Sequence, residues 1–309
     1  MILAPMQGLT ELLFRKVYEE CFPGAIQRAV TPFLSLTHNM MMGAHYLRDV
    51  LPEANEGSIP ITPQILGKEP EEFIALGNRL YDMGYEEVNW NIGCPMRNIT
   101  GKHRGSGILP YPDEMKGVLD AVVPKLKPRL SVKMRIGLRD KEEIFALVPV
   151  LNTYPLASVT IHPRLGRQQY TGVPDMETFG RVLPMMEHPV IYNGDVTAPE
   201  DVRRIRTTFP AVSDIMIGRG ILYRTTLPLE IEVGAMSDEK RLAATKHFIG
   251  RLNEEIRRTA PSDESAIRKT KEYWCLLWRG LPISENEARK VLREKELTAV
   301  DKMICAFIQ

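Results

Sequence analysis

The stretch HPVIYNGDVTAPEDVRRIRTTFPAVSDIMIGR, residues 188–219, decides the fold class of this chain. It begins with a β-branched run typical of a strand over 188–194 and ends in a second such run over 214–219. Between them, over 198–208, apolar residues recur at three- and four-residue spacing, as in an amphipathic helix. A strand, a helix and another strand in about 30 residues make the unit from which parallel sheets are built. The stretch therefore predicts an α/β fold.

The same alternation recurs through the first three quarters of the chain. Eight strand-like runs are present, at 2–5, 25–31, 59–66, 86–91, 130–136, 157–163, 188–194 and 214–219. Further amphipathic segments lie between them, at 69–83, 112–124 and 140–152. A doubly wound sheet also alternates strands and helices, but eight strands in about 220 residues favour closure. We predict a (β/α)8 TIM barrel.

The pattern changes after about residue 237. The rest of the chain has no long strand-like run and reads as helices at 239–259, 263–278, 284–294 and the C-terminal end. It also has a small excess of basic over acidic residues. We predict a barrel domain over 1–236 and an all-helical domain over 237–309. From charge alone, the helical part is a cap with solvated charges.

Composition limits the function classes. The 309 residues carry a formal net charge of +1, so no chain-wide surface for polyanions is indicated. The four cysteines are scattered without a C-x-x-C pair, which indicates a reducing compartment and no structural metal. The first apolar stretch is too short for a signal peptide, and no apolar run approaches membrane-spanning length. We expect a soluble, cytoplasmic protein with no metal, no membrane association and no obligate protein partner.

Polar and ionisable residues concentrate at the predicted strand ends. Barrel enzymes place their active sites at the carboxyl ends of the strands, so these residues are expected to converge. They are Pro5, Met6 and Gln7; Gln64; Asn91 and Cys94; Lys133 and Arg135; His162 and Arg164; Asn193, Gly194 and Asp195; and Gly218, Arg219 and Gly220. The last two groups follow the seventh and eighth strands, where barrels commonly bind phosphate.

Two cations share the inward face of the fifth strand. Strand alternation turns Lys133 and Arg135 away from Val132 and Met134, toward the barrel interior. Because unpaired buried charge is costly, they need a partner. That partner is either an acid on a neighbouring strand or an anionic ligand. His162 likewise reads as a buried core histidine or as a ligand contact.

Cys94 lies in a stiff frame, NWNIGCPMRN, residues 89–98. Glycine lets the backbone turn and proline fixes φ, so the thiol falls where a strand ends. It is either a small buried hydrophobe or a reactive group. The basic residues Arg97, Lys102, His103 and Arg104 follow among glycines, which predicts a mobile basic loop or a merely solvated one.

Several motifs in this order resemble the dihydrouridine synthases. They are APM, QILG, N-x-G-C-P, SVKMRIG, IHPR, NGD and IGRG along the barrel, and AIRKTKEYWCLLWRGLP in the helical part. Members of that family are FMN-dependent enzymes that reduce uridine in RNA, chiefly tRNA. The chain departs from the usual pattern at Asn89, where an acid is common, and at Pro163 in IHPR.

The resemblance implies a TIM barrel that binds FMN, a helical RNA-binding domain and NADPH as reductant. It gives Cys94 the role of proton donor to C5 of uracil, after hydride transfer to C6. The implied FMN residues are Pro5, Met6, Gln7, Gln64, Lys133, His162, Asn193, Gly194, Asp195, Gly218 and Arg219. The expected RNA contacts are Asn91, Arg97, Arg135, Arg164, Arg268, Lys269 and Lys271. Two alternatives stay open: an inactive RNA-binding paralogue, or an FMN barrel acting on a free pyrimidine.

Overall fold

The structure, a computed structural model, describes residues 1–35 and 47–309. These ranges contain ten strands: β1 (Ile2–Leu3), β2 (Arg28–Val30), β3 (Leu34–Ser35), β4 (Ile61–Thr62), β5 (Gln64–Leu66), β6 (Glu87–Ile92), β7 (Arg129–Gly137), β8 (Val159–Leu165), β9 (Val190–Asn193) and β10 (Val212–Ile217).

The same ranges contain fourteen α-helices. The first ten are α1 (Leu12–Cys21), α2 (Pro52–Asn55), α3 (Pro70–Asp82), α4 (Arg97–Thr100), α5 (Pro112–Val122), α6 (Glu143–Asn152), α7 (Met176–Val182), α8 (Pro199–Thr208), α9 (Arg219–Tyr223) and α10 (Leu227–Val233). The C-terminal four are α11 (Asp238–Thr259), α12 (Asp263–Leu277), α13 (Glu285–Arg293) and α14 (Leu297–Ile308).

The strands form one parallel sheet that closes on itself. From β5 the hydrogen-bonded order runs β6, β7, β8, β9, β10, β1, β2 and β4. Only Pro63 separates β4 from β5, so the strand that ends this order continues into the strand that began it. Proline has no N–H to give to a ladder, which explains the break within the predicted run 59–66. The TIM barrel expected from the sequence is confirmed, with the short β3 added beside β5.

The two faces of each barrel strand have different surroundings. Outward side chains such as Val88, Trp90 and Ile92 of β6 are buried in the main core under the helices. Inward apolar side chains form a separate small cluster of Ile2, Ala4, Val30, Ile191 and Met216. Ile2 lies in β1 and Ala4 directly after Leu3 at its end, while Val30, Ile191 and Met216 lie in β2, β9 and β10. The interior opposite them, along β5 to β8, is lined by polar residues, and the candidate site lies there.

The C-terminal helices pack on the barrel through aromatic rings. The ring of Phe248 in α11 lies 5.6 Å from that of Phe14 and 5.8 Å from that of Tyr18, both in α1. Tyr273 of α12 stacks on Phe14 at 6.1 Å. After α10 the described chain is helical with no strand, in agreement with the sequence. The division into 1–236 and 237–309 remains a proposal, because these rings belong to the same core as the barrel.

Candidate active site

The peptide groups of Cys94 are fixed on both sides. Cys94 follows β6 after Gly93, and its backbone N–H donates to Asn91 Oδ1 at 2.9 Å. The same oxygen accepts from the Gly93 N–H at 3.1 Å. The Cys94 carbonyl accepts from the backbone N–H of Ser106 at 2.9 Å and from its hydroxyl at 3.0 Å. The backbone of Cys94 is therefore held on both sides.

A row of neutral side chains orients Asn91. Its Nδ2 donates to Gln64 Oε1 at 2.7 Å, and Gln64 Nε2 donates to Asn89 Oδ1 at 2.7 Å. Asn89 Nδ2 in turn donates to the Ser131 hydroxyl at 3.0 Å. All four side chains are buried. Asn91, expected to contact RNA, instead holds the Cys94 peptide, and the sequence analysis missed the parts played by Asn89 and Ser131.

The Cys94 thiol is a protonated group at neutral pH. Burial raises its pKa above the ordinary value, although a backbone N–H at Met96 and the cations Arg135 and Lys133 oppose the shift. A thiol of raised pKa is a poor nucleophile, because the thiolate is the reactive form. It is well suited to donate a proton.

Lys133 points into the barrel without a protein partner. Among the described residues its ammonium has no hydrogen bond or ion pair, so the salt bridge considered for it does not form there. Burial, together with the charge of Arg135, lowers the pKa of Lys133 to about 7. An anionic ligand beside this group would restore its charge.

Arg135 is used to hold the backbone. Its Nε donates to the Gly93 carbonyl at 3.0 Å and its Nη1 to the Leu165 carbonyl at 2.8 Å. Burial lowers the pKa of Arg135 to about 10, which leaves it charged at neutral pH. The residue was expected to contact RNA, but only 2% of it is exposed. It bridges the loops that follow β6 and β8.

Arg164, expected to contact RNA, uses all of its side-chain donors within the protein. Its five N–H groups are shared among Asp195, which takes two, the carbonyls of Thr171 and Gly172, and His162 Nε2. With 1% of its surface exposed, it has no donor left for a phosphate. Its buried charge is neutralised by Asp195.

His162 is neutral, with its proton on Nδ1. An arginine cannot accept a hydrogen bond, so the 3.2 Å contact makes His162 Nε2 the acceptor. Burial and four surrounding cations lower its pKa well below the ordinary range. Those cations are Arg135, Lys133, Arg164 and Arg219.

Asp195 is the acid in this group of cations. It binds Arg219 at 3.1 Å in addition to Arg164. Burial alone would raise the pKa of Asp195, but hydrogen bonding and charge from Arg164 outweigh it and the pKa is lowered. The strand ends on this side therefore carry more positive than negative charge.

The remaining predicted residues lie around the same mouth. Asn193 Nδ2 donates to the Met216 carbonyl at 2.8 Å, which joins the ends of β9 and β10. A Cβ on Gly218 would contact Met6 at 3.7 Å, so the segment after β10 lies against the segment after β1. Pro5 and Gln7 flank Met6. A Cβ on Gly194 would lie 3.5 Å from the ring of His162, so Gly194 lies beside that histidine.

Tyr170 is a candidate residue that the sequence did not reveal. Its ring, 54% exposed, lies 4.7 Å from the Arg219 guanidinium and 5.6 Å from that of Arg135. These contacts place an aromatic surface at the entrance to the site. Its sequence neighbours carry no periodicity that marks it as functional.

The loop after Cys94 is compactly folded, and its glycines are required by close packing. Gly105 has φ +56°, and a Cβ there would lie 2.6 Å from the Cys94 carbonyl oxygen. His103 pairs with Glu114 at 2.8 Å and Arg104 with Glu69 at 2.6 Å. In this conformation two of the four basic residues of the loop are therefore paired with acids. Arg97 and Lys102 are its exposed cations.

A cleft of about 700 Å³ lies between the barrel mouth and the C-terminal helices. Its lining contains apolar, basic, acidic and amide side chains, among them Pro32, Phe33 and Leu34; Lys16, Arg48, Arg258, Arg268 and Lys269; Glu11, Asp49 and Glu255; and Gln7. Arg268 is exposed and has no partner among the described residues. This cleft opens next to the segment after β1.

Lys269 and Lys271, expected to contact RNA, have partners within the protein. Lys269 Nζ donates to the Gly8 carbonyl at 2.6 Å and to Glu11 at 2.7 Å, and it lies 3.4 Å from Glu272. Lys271 donates to the Glu294 carbonyl. Both lysines tie α12 to neighbouring segments.

No helix within the described ranges is long and apolar enough to cross a membrane. In residues 1–35 and 47–309 we find no group of three or more His, Cys, Asp or Glu side chains placed to hold a metal ion.

Residues 2–273 match the family described as Dihydrouridine synthase (Dus). The chain is 26% identical to the tRNA-dihydrouridine(16) synthase of Aquipseudomonas alcaligenes, with 98% of each chain covered. It is 24% identical to the enzyme of the same name from Neisseria meningitidis serogroup B, over 99% of this chain and 94% of that one. It is 28% identical to tRNA-dihydrouridine synthase B of Pasteurella multocida, over 71% and 65%.

Two solved structures share the fold. Morphinone reductase superposes with a TM-score of 0.54 at 13% identity, over 76% of this chain and 86% of that one. The old yellow enzyme from Trypanosoma cruzi gives 0.53 at 10% identity, over 76% and 88%. At these identities the likeness concerns the fold alone.

Proposed function

This chain belongs to the dihydrouridine synthase family and is an oxidoreductase, and from that premise we propose that it reduces specific uridines of tRNA to 5,6-dihydrouridine with FMN and NADPH. The observation that carries the proposal is the fixed, protonated Cys94 beside the unpartnered Lys133 at the barrel mouth. The two relatives matched over nearly their full length are named for position 16, which favours that position as the target. We place the reaction in the cytoplasm.

The residues at the mouth fit FMN. A flavin mononucleotide carries a phosphate, and its ring becomes anionic on reduction, so it suits a site where cations outnumber acids. Lys133 would lie beside the ring, and Arg219 with the backbone of Gly218 would hold the phosphate. The other proposed FMN residues are Pro5, Met6, Gln7, Gln64, His162, Asn193, Gly194 and Asp195. When bound, the cofactor supplies the hydride that reduces C6 of uracil.

Cys94 completes the reduction by protonating C5. The thiol S–H bond breaks, a C–H bond forms at C5, and the electron pair stays on sulfur as a thiolate that solvent later reprotonates. The raised pKa of Cys94 keeps the thiol protonated until this step. The Asn91 side chain accepts a hydrogen bond from the Cys94 backbone N–H and so helps to fix the residue that carries the thiol. A paired uridine cannot reach the barrel mouth, so the target base must be unpaired or flipped out.

RNA would contact the exposed cations around the mouth and the cleft. Arg97 beside Cys94 and Arg268 in the cleft are the proposed phosphate contacts, because both are exposed and have no partner among the described residues. The apolar walls of the cleft suit unstacked bases. This cleft favours a polymeric substrate over a free pyrimidine, which would not need it. The retained Cys94 and Lys133 disfavour an inactive paralogue.

The test is reconstitution on tRNA that lacks dihydrouridine. The purified protein with FMN and NADPH is incubated with the tRNA, and nucleoside mass spectrometry maps the product. We expect a yellow protein that forms dihydrouridine at one or a few positions. Reduction of free uracil or uridine without tRNA modification would support the small-substrate alternative. RNA binding without any reduction would support the inactive paralogue.

A further inference from the structure

We propose that Ser106 is the positioning residue that aims the Cys94 thiol, and that it does so by joining the Cys94 loop to the loop after β8. The proposal rests on the proposed function, because it assigns Ser106 a part in proton delivery by Cys94. No step of the reaction described above uses the Ser106 side chain for chemistry.

The first observation is the double hydrogen bond to one carbonyl. Ser106 is completely buried, and both its N–H and its hydroxyl donate to the Cys94 oxygen. Asn91 holds the N–H of Cys94 from the other side. With both peptide groups held, the thiol has only its own side-chain rotation left.

The second observation is the contact with the loop after β8. A Cβ on Gly166 would lie 2.6 Å from the Ser106 hydroxyl oxygen, so the two loops touch at this atom. Arg135 joins the same loops one residue earlier on each, at Gly93 and Leu165. Two adjacent bridges therefore connect the Cys94 backbone to the segment that carries Tyr170 at the entrance.

The consequence is a geometric one. Removing the hydroxyl leaves the Cys94 carbonyl with one donor and opens space against Gly166. A misplacement of about 1 Å between a donor and its target costs about 10²-fold in rate. Proton delivery to C5 should slow by that order, while steps that do not use the thiol should not change.

The positioning role of Ser106 is tested by comparing the variant Ser106→Ala with the control variant Ser213→Ala. Ser213 is the control for the loss of one hydroxyl-to-carbonyl hydrogen bond, because its hydroxyl donates to the Val190 carbonyl at 2.8 Å at the opposite end of the barrel, although Ser213 is exposed and Ser106 is buried. Flavin reduction by NADPH should be unchanged in both variants. Single-turnover product formation on tRNA should fall about 10²-fold only in Ser106→Ala, with a larger solvent deuterium isotope effect. Equal rates in the two variants would overturn the proposal.

A second measurement needs no substrate. Alkylation of Cys94 by iodoacetamide, followed against pH by peptide mass spectrometry, reports the pKa of the thiol, because only the thiolate reacts; burial raises that pKa, and a thiol less firmly held in its buried position should titrate at lower pH. Its midpoint should move to lower pH in Ser106→Ala and stay in place in Ser213→Ala. An unmoved midpoint would count against the positioning role. If wild-type protein makes no dihydrouridine, the proposed function fails, and this midpoint still decides whether Ser106 positions the thiol.

Gly166→Ala perturbs the same contact with Ser106 present. The added Cβ would lie 2.6 Å from the Ser106 hydroxyl oxygen and 2.8 Å from the end of the Leu138 side chain. The end of the leucine side chain can move aside, so the substitution should displace the hydroxyl and slow product formation as Ser106→Ala does. The double variant should be no slower than either single one, because both act on one contact. Additive losses would show two independent effects and would overturn the joint role.

Discussion

Asn91 on β6 and Lys133 on β7 are direct partners in the parallel pairing of these strands. The residue that holds the Cys94 peptide therefore lies beside the ammonium that faces the barrel mouth. One pair of strands therefore positions both the proposed proton donor and the lysine that we propose stabilises negative charge.

Cys94→Ala should separate the two half-reactions. FMN should bind and accept hydride from NADPH as in wild type, because neither step needs a proton at C5 of uracil. Dihydrouridine formation should fall by about 10²–10⁴-fold, the usual contribution of a positioned general acid. The measurement is single-turnover oxidation of pre-reduced enzyme by tRNA, with product detected by mass spectrometry. Near wild-type product would mean that another group donates the proton.

Binding of reduced FMN to the apoprotein should take up protons through Lys133. In the free protein the pKa of Lys133 is lowered to about 7, so at pH 8 most of these groups are neutral. The anionic ring of reduced FMN beside the lysine raises that pKa, and uptake should approach about one proton per reduced FMN, whereas the neutral ring of oxidised FMN should cause little uptake. Anaerobic calorimetry in buffers of different ionisation enthalpy measures it. Lys133→Met should bind reduced FMN more weakly and abolish the uptake; the same uptake in that variant would assign it to another group.

The same shift predicts how stability depends on pH. The pKa of Lys133 is about 7 in the folded protein and about 10.5 in the unfolded chain. Between these two pH values the folded protein therefore binds fewer protons at this lysine than the unfolded chain does. Stability of the apoprotein should therefore gain from this group as pH rises from about 7 toward 10.5. In Lys133→Met that gain should be missing. Urea unfolding of both proteins across this range measures the difference.

Gly105→Ala should slow product formation in addition to lowering the stability of the fold. The left-handed φ of +56° disfavours alanine, and the new Cβ would also press on the Cys94 carbonyl at 2.6 Å. Gly84→Ala is the control, since Gly84 has φ +101° with no atom within 4 Å of an added Cβ. Both variants should lose about 1 kcal/mol or more of stability. Only Gly105→Ala should slow product formation at a temperature where both are folded.

Arg268→Ala should weaken tRNA binding in a salt-dependent way. One lost phosphate contact lowers the slope of log K against log salt by about 0.7–0.9. Arg206→Ala is the control, because Arg206 is an exposed arginine of α8 that does not line the cleft. Binding is measured by fluorescence anisotropy between low and physiological salt. Equal slopes for the two variants would mean that the helical part is a structural cap only.

Features set by local sequence were predictable. The barrel follows from periodicity, and Asn91 lies three residues from Cys94, so one turn at a strand end brings them together. The strand-end residues also converge as expected, because the carboxyl ends of parallel strands meet at one face. The family motifs fall on these same positions.

Features set by distant partners were not predictable. Arg164 and Lys269 are cations like Arg268 in the sequence, yet their partners Asp195 and Glu11 lie 31 and 258 residues away. Only the fold shows that these charges are already neutralised. The compact loop after Cys94 was missed for a similar reason, because glycine is needed equally for mobility and for close approach.

The aromatic contacts of Phe248 and Tyr273 with α1 bear on how such an enzyme can be rearranged. These rings complete the core beneath the first barrel helix. The helical segment therefore does not have a separate core of its own and is not expected to fold correctly when it is transferred alone to another barrel. A transfer of this helical segment between relatives has to carry α1 with it, so that Phe14 and Tyr18 keep their partners Phe248 and Tyr273.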